Sequence, residues 1–531
     1  MRRALMRRPL ALAVATLSVV TTLAAVPGSA SAATGTLTVT TLGRDGSVVR
    51  TDLHFEGAQN LVKSSGTSGT AISLPNGPYV VLTNIYTAKD LTQTLAGIKV
   101  NVSGNTKVTI DARKGLLVKM AFSPAATTGY QYIHATACAD VNSRPFAYSA
   151  GGYPDKIYLI PNDATEFSLG ALLIWHTGTA GTLAKPAAEY WATAGASGLP
   201  RNFNRTVSRS GLVNVTASLR RGPTRISSTN MYLTWVGGGC TAGLSDFLVA
   251  GDSPVQQKLF LSPGPWRYTV DSNHGSLGNI PYIVNRTYAS GKNYGQAFYA
   301  AAWGPGATLP YVSGRAISFS TDAMFGDPAF AGHQPTLHDS QSVVTLRHGN
   351  TLLATTHRNS YDWFGPFGSS FFTHSLTTSG WYTLTVDAHR ARPRVTYPGG
   401  MLSPRTTLSM RFHADPAKSE VARVFGVFMS PESLSLWNEA SPGSTTPVTL
   451  SLSRQTQLGG KLVATYLKSI TAQASFDGGT TWRSVKVTGS GAKWTAQVPN
   501  PASGAVTLRT TAISTTGDSS TTTIYRAYAI A

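Results

Sequence analysis

Acidic side chains are scarce in this sequence of 531 residues: 24 Asp and Glu stand against 44 Lys and Arg, a formal charge of +20. Between Glu189 and Asp246 there is no acid, while Arg201, Arg205, Arg209, Arg220, Arg221 and Arg225 all fall in that stretch. Charged residues of both signs make up only 13%, which disfavours long solvent-facing helices. Cysteine is nearly missing, with Cys138 and Cys240 alone. In an oxidising compartment the two are expected to pair. A closed loop of about 100 residues is worth roughly 4 to 5 kcal/mol on the chain-entropy model; the alternative is two separate buried thiols. After residue 32 no run is apolar enough to cross a bilayer, which takes about 20 strongly apolar residues. Gly-x-Ser-x-Gly, His-Glu-x-x-His and the phosphate-binding loop are also absent. No complete catalytic apparatus, cofactor or metal site is therefore expected.

The first 32 residues read as an export signal. Arg2, Arg3, Arg7 and Arg8 form a positive n-region, Leu10 to Val26 an uncharged apolar stretch, and Ala30-Ser31-Ala32 a small-x-small cleavage site. As a membrane anchor the apolar run would be short, at about 17 residues, and it is broken by Ser and Thr. The mature chain then begins at Ala33, keeps +16 once the four arginines are removed, and is expected outside the cell.

What is present is strand-and-turn usage: Gly 52 and Pro 29, with abundant Thr, Ser, Val and Tyr. The expected fold is all-β, several tandem β-sandwich modules of the transthyretin-like or immunoglobulin-like kind. Residues 33–115 read as a first, regulatory-type sandwich. There Leu37 and Val39 alternate with Thr36, Thr38 and Thr40, and Pro75-Asn76-Gly77 turns the chain. Residues 116–310 read as a β-rich middle region holding both cysteines, in which Lys185 to Thr193 could form one short helix. Residues 311–415 read as another sandwich, where Ser379-Gly380-Trp381-Tyr382 echoes the glycine-aromatic start of a strand at Gly264-Pro265-Trp266. Residues 416–531 read as a C-terminal immunoglobulin-like sandwich.

Candidate chemistry is sparse. A subtilisin-type triad needs Ser, His and Asp converging on a parallel-sheet scaffold. Gly66-Thr67-Ser68, His274-Gly275 and His348-Gly349 are only fragments of it, set in turns and strands. Seven of eleven histidines lie between 311 and 415, and His333, His338 and Asp339 could share a metal, though their spacing matches no established ligand pattern. Ser475-Phe476-Asp477-Gly478-Gly479-Thr480-Thr481-Trp482 fits the Asp-box pattern. A single copy is expected to brace a hairpin rather than mark a sialidase blade. Tyr361 and the aromatic loop Trp363-Phe364-Gly365-Pro366-Phe367 could stack on sugar rings or simply pack in a core. The arginines at 201, 205, 209, 220, 221 and 225 could attract polyanions or form a solvated basic surface, as could a second basic run at Arg390, Arg392, Arg394, Arg405 and Arg411. No nucleic-acid fold signature accompanies the charge.

Thr109-Ile110-Asp111-Ala112-Arg113-Lys114, with Leu74-Pro75-Asn76-Gly77 before it, resembles the first non-catalytic domain after the protease domain of large secreted actinobacterial subtilisin-like serine peptidases. The stretch from the Asp box through Val506-Thr507-Leu508-Arg509 to Arg526-Ala527-Tyr528 is similar to their C-terminal module. The resemblance implies accessory β-domains; no peptidase domain precedes residue 35 here, so no catalytic residue transfers. The expected function is a secreted, non-catalytic binding or scaffold protein, with a cell-wall polymer, polysaccharide or secreted protein as partner. Two alternatives stand beside it: an accessory subunit docking on a separate serine protease, and a hydrolase of unrecognised type in 116–310.

Overall fold

A computed structural model describes residues 33–531, except 58–62, 179–187, 223–227, 238–239, 241–243, 252–253, 274–278, 306–309, 314, 331–338, 362–369, 419–421, 423 and 454–465. The expected export signal, Arg225, the His274-Gly275 turn, His333, His338 and the aromatic loop at 363–367 lie outside the described residues.

The chain is all-β and multi-modular. Among the described residues the helical pieces are 3-10 turns of three to five residues. Period-two patterning gives the reason. Along Thr34–Leu42 the inward positions Leu37 and Val39 are fully buried, while the threonines between them stay half-buried. In a strand, successive side chains point to opposite faces, so each strand buries one face only.

The first module packs a three-stranded sheet (Ala71–Pro75, Thr34–Leu42, Asn105–Asp111) against a six-stranded one, around Leu37, Leu53, Phe55, Val81 and Ile85. That larger sheet takes its last two strands, Ile157–Leu159 and Leu116–Leu117, from beyond residue 115. Next comes a seven-stranded sheet buried on both faces. Leu169, Ala171 and Leu173 of Phe167–His176 face one core, and Leu172 and Ile174 face another. A four-stranded sheet, containing Ser228–Trp235 and Gly264–Asn273, closes that second core.

The helix considered at Lys185 to Thr193 does not form where the structure describes it. Glu189–Ser197 is a strand, paired with Phe167–His176 on one side and Val255–Leu261 on the other. Its alanines are good helix formers, but propensity is worth less than about 1 kcal/mol per residue. Burying Trp191 and Ala192 in a sheet between two cores overrides that propensity.

A shared corner recurs in three modules. The aromatic side chain two residues after a glycine donates to a backbone carbonyl four residues before it: Tyr79 Oη to Pro75 (2.9 Å), Trp266 Nε1 to Ser262 (2.8 Å) and Tyr382 Oη to Thr378 (2.5 Å). Glycine is required at Gly264, where φ is +133° and an added Cβ would lie 2.2 Å from the Trp235 ring.

The last two modules are fused by one twelve-stranded sheet. Ser340–His348, Thr351–Asn359, Gly380–Arg390 and Arg405–Ala414 cover the core of Val344, Leu384 and Met410. Leu467–Ser475, Gly504–Ser514 and Ser519–Ile530 cover that of Ile470, Leu508 and Ile524. Arg405–Ala414 joins Ser519–Ile530 through six antiparallel pairs, Thr406↔Ile524 to Arg411↔Ser519.

Candidate functional site

Cys138 and Cys240 form a disulfide, with Cα atoms 5.6 Å apart. It ties the strand Tyr130–Val141 to the four-stranded layer next to Leu244. The arginines do not make one patch. Arg201 and Arg205 are exposed, and Arg209 lies over Trp175 (5.2 Å) and Tyr190 (5.9 Å). Arg220 and Arg221 sit past the other end of Val213–Leu219, about 23 Å away at strand rise. There Arg221 covers Trp437, and half-buried Arg220 donates to Asn438 Oδ1 at 3.4 Å. Burial lowers the Arg220 pKa.

Asp339, considered as a metal ligand, is committed elsewhere. It is buried and takes both of its contacts to Arg390 Nη1, at 3.2 and 3.0 Å, with Tyr397 Oη at 3.2 Å. Among the described residues no group of three or more His, Cys, Asp or Glu is placed to hold a metal ion. Ser68 is buried, and its hydroxyl accepts from Thr41 and donates to Val49 O, so it is committed to the fold of the first module.

Among the described residues of 116–310, Asp140 and Glu166 line one cleft, Asp246 Oδ2 lies 2.9 Å from His134 Nε2, and Glu189 is enclosed in the core. Glu166 borders that cleft, of about 890 Å³ and floored by Gly170 and Gly195, but Lys99 bonds it at 2.5 Å and holds its pKa below the ordinary range. A general acid needs the opposite shift. Glu189 is pushed upward by burial, yet it is fully enclosed and bonded to Trp191 and His176, out of reach of a substrate.

The motifs quoted from sequence build local supports. Asp111 ends its strand and caps the turn Ala112–Lys114, accepting from Arg113 N at 3.0 Å, with Arg113 held sideways on both oxygens. In the Asp box, Asp477 accepts from Thr481 Oγ1 (2.5 Å), Thr481 N (2.9 Å), Ser475 Oγ (2.7 Å) and Thr480 N (3.0 Å), and these bonds lower its pKa. Trp482 closes the turn through Nε1 to Gly479 O, and its ring carries Arg509 at 3.7 Å.

A second open groove, of about 660 Å³, lies on the outer face of the shared sheet. Antiparallel register places its residues. Gln341 pairs with Asn359 and His389, and Val343 with His357 and Asp387. These odd-numbered positions point away from the core that Ser342 and Val344 face. Val343 is 37% exposed, between the imidazoles of His357 and His389 and the Tyr361 phenol. Gln341 Nε2 donates to Tyr361 Oη at 2.7 Å, fixing the ring at the rim. Asp387 is gripped by Arg405 through two parallel bonds, Nε to Oδ1 at 2.9 Å and Nη2 to Oδ2 at 2.7 Å. His389 Nε2 lies 3.3 Å from the same carboxylate. An apolar patch framed by rings, amides and one fixed carboxylate offers flat contact plus directional acceptors and donors.

No family model and no curated protein matches the chain. Solved structures similar to it include the Bacillus anthracis TIE protein, at 10% identity and TM-score 0.13, covering 50% of each chain. The chicken CNTN1 FN1–FN3 domains give 10% identity and TM-score 0.14, over 67% of this chain and 94% of that one. A Streptococcal ancillary pilin gives 11% identity and TM-score 0.11, over 48% and 96%. The chain thus spans about half the length of the TIE protein. Scores this low bear on neither function nor ligand.

Of the groove residues, sequence reasoning singled out Tyr361, as a sugar-stacking candidate, and Arg405, within a basic run. His357 and His389 were visible only as members of a histidine-rich stretch. Strand alternation could have put Gln341, Val343 and Arg347 on one face, but not which strands lie beside them.

Proposed function

We propose that this chain is a non-catalytic extracellular protein that binds polysaccharide. The observation that carries the reading is the groove at Val343, His357, Tyr361, Asp387 and His389. Sugars present apolar C–H faces beside closely spaced hydroxyls. The rings and Val343 suit the first; Gln341, Asn359 and Asp387 suit the second. The frame fits a binding role, because rigid sheets hold these side chains in register without a moving part. A disulfide and the absence, among described residues, of a helix long and apolar enough to cross a membrane are compatible with an exported chain. The resemblance to accessory domains of secreted peptidases belongs to the same reading, since those domains are non-catalytic.

Titration calorimetry of the chain from Ala33 with chito-, xylo- and galacturono-oligosaccharides tests it. Binding of one series is expected, weakened about tenfold by Tyr361→Ala and by His357→Ala, in line with roughly 1.4 kcal/mol for a lost ring contact. Binding that ignores both substitutions, or no binding in any series, overturns it. Recovery of a secreted protease instead, in a pull-down from culture medium, moves the reading to an accessory subunit.

A further inference from the structure

The groove opens onto a row of hydroxyl residues that crosses seven strands. The register runs Thr355↔Thr345, Thr345↔Thr385, Thr385↔Ser409, Ser409↔Thr521, Thr521↔Thr511 and Thr511↔Thr471. All seven are half-buried or exposed, while the neighbours on either side of them along Gly380–Arg390, Arg405–Ala414 and Ser519–Ile530 are buried in the two cores below. Six inter-strand steps of about 4.8 Å make the row about 29 Å long. It passes from one sandwich module to the next without a break, and Thr511 and Thr521 hydroxyls meet at 3.0 Å toward its Thr471 end.

Arginines flank the row, two of them with the guanidinium carbon over an aromatic ring. Arg411 lies 3.9 Å over Trp381 on one side, and Arg509 lies 3.7 Å over Trp482 on the other. Arg347 is exposed on the Arg411 side, and Arg405 lies over Tyr525 beyond Asp387. Asp387 is the one acid in the rows that contain these residues, and Arg405 already neutralises it. A guanidinium pinned to a ring presents its remaining edge as a preset fork for carboxylate.

Resting on the saccharide reading of the groove, we propose that this row is a track for a linear acidic polysaccharide laid across the strands. Hydroxyls of the sugar chain meet the Thr/Ser row, and its carboxylates meet Arg411 and Arg509. Charge complementarity selects a polyanion over a neutral chain. The covered rings select a glycan over a nucleic acid, because base stacking needs open aromatic faces and Trp381 and Trp482 already carry guanidinium groups. Sheet twist of about 20° per strand winds the row by roughly 120° end to end, so a flexible single chain fits and a flat crystalline surface does not.

The test uses the whole chain from Ala33 with galacturonate oligomers of four and twelve units, the methyl-esterified twelve-unit chain and a single-stranded DNA, at fixed salt. The twelve-unit acid is expected to bind at least tenfold tighter than the four-unit one. Thr385→Val with Thr521→Val, and Arg411→Gln with Arg509→Gln, should each abolish that gain and leave four-unit binding unchanged. Methyl esterification should match the arginine variant. Equal affinity for both lengths, a gain that survives both double variants, or DNA binding as tight as the twelve-unit acid overturns the track. A four-unit oligomer still bound and still sensitive to Tyr361→Ala then leaves the groove reading standing; no binding of the four-unit acid together with none of the chito- and xylo-oligosaccharides removes the groove reading as well. If a double variant lowers the melting temperature, Thr385→Ser with Thr521→Ser and Arg411→Lys with Arg509→Lys take its place. The serine pair should keep the length gain and the lysine pair should lose most of it.

Discussion

Asp327 gives the sharpest test of the packing. Its carboxyl is fully buried between the 3-10 turns Thr321–Phe325 and Pro328–Phe330. Oδ1 accepts from Ala329 N at 2.9 Å, and Oδ2 accepts from Ala300 N and Tyr282 Oη, both at 3.2 Å. These bonds favour the ionised form, and half-buried Arg220 lies within electrostatic reach. Burial outweighs them and pushes the pKa from 3.8 up to about 7. In the unfolded chain the proton leaves near the ordinary value. Between about pH 4 and 7 the folded chain therefore binds the extra proton, so stability falls as pH rises and levels off above about 7. At about 1.4 kcal/mol per pH unit, the full loss is roughly 4 kcal/mol.

Asp327→Asn removes the titration. Its amide faces Ala300 N–H, which costs a fixed amount at every pH, so the informative quantity is the change in the variant's melting temperature relative to wild type between pH 4.5 and pH 8. At about 2 to 4 °C per kcal/mol for a unit of 150 to 250 residues, the variant should gain roughly 10 °C on wild type across that interval. Differential scanning calorimetry of the transition that includes residues 280–330 reads it. A difference that stays constant with pH would refute the claim that burial governs this carboxyl.

Other perturbations follow from the same geometry. Reducing the Cys138–Cys240 bond, or replacing both residues with Ser, should lower stability by roughly 4 kcal/mol in urea titrations, since the bond closes a span of 102 residues. Asp477→Ala removes the acceptor for Thr480 and Thr481 amides and should loosen Trp482, read as faster hydrogen exchange at 477–483 and weaker binding by Arg509. Leu384→Ala, at a fully buried site in the core beneath the hydroxyl row, should cost about 2 to 5 kcal/mol in denaturant unfolding. Tyr382→Phe should cost about 1 kcal/mol, the usual worth of one hydrogen bond, here the corner bond to Thr378.

Much of the fold was legible because its signals are local. Leu37 and Val39 alternating with threonines, the turn at Pro75-Asn76-Gly77 and the glycine-aromatic starts at Gly264 and Gly380 each specify a strand or corner within a few residues. The Asp box likewise fixes its own turn, since Asp477 reaches only to residues two to four positions away. The short helix at Lys185 to Thr193 failed, where described, because helix propensity is a local vote and Glu189–Ser197 is decided by two partner strands.

The sequence by itself determined the strand-forming character of the chain, its surplus of positive charge and the identity of its two cysteines. Only the tertiary structure decided which strands lie side by side. Thr345 and Thr471 are more than a hundred residues apart, yet sheet order sets them in one row, whereas the extended strand Val213–Leu219 carries Arg221 away from Arg209, which the sequence places close together. The physical reason is that alternation fixes which face a side chain takes, whereas its neighbours across the sheet depend on backbone pairing between segments distant in the chain. Binding surfaces on sheets are made of those neighbours.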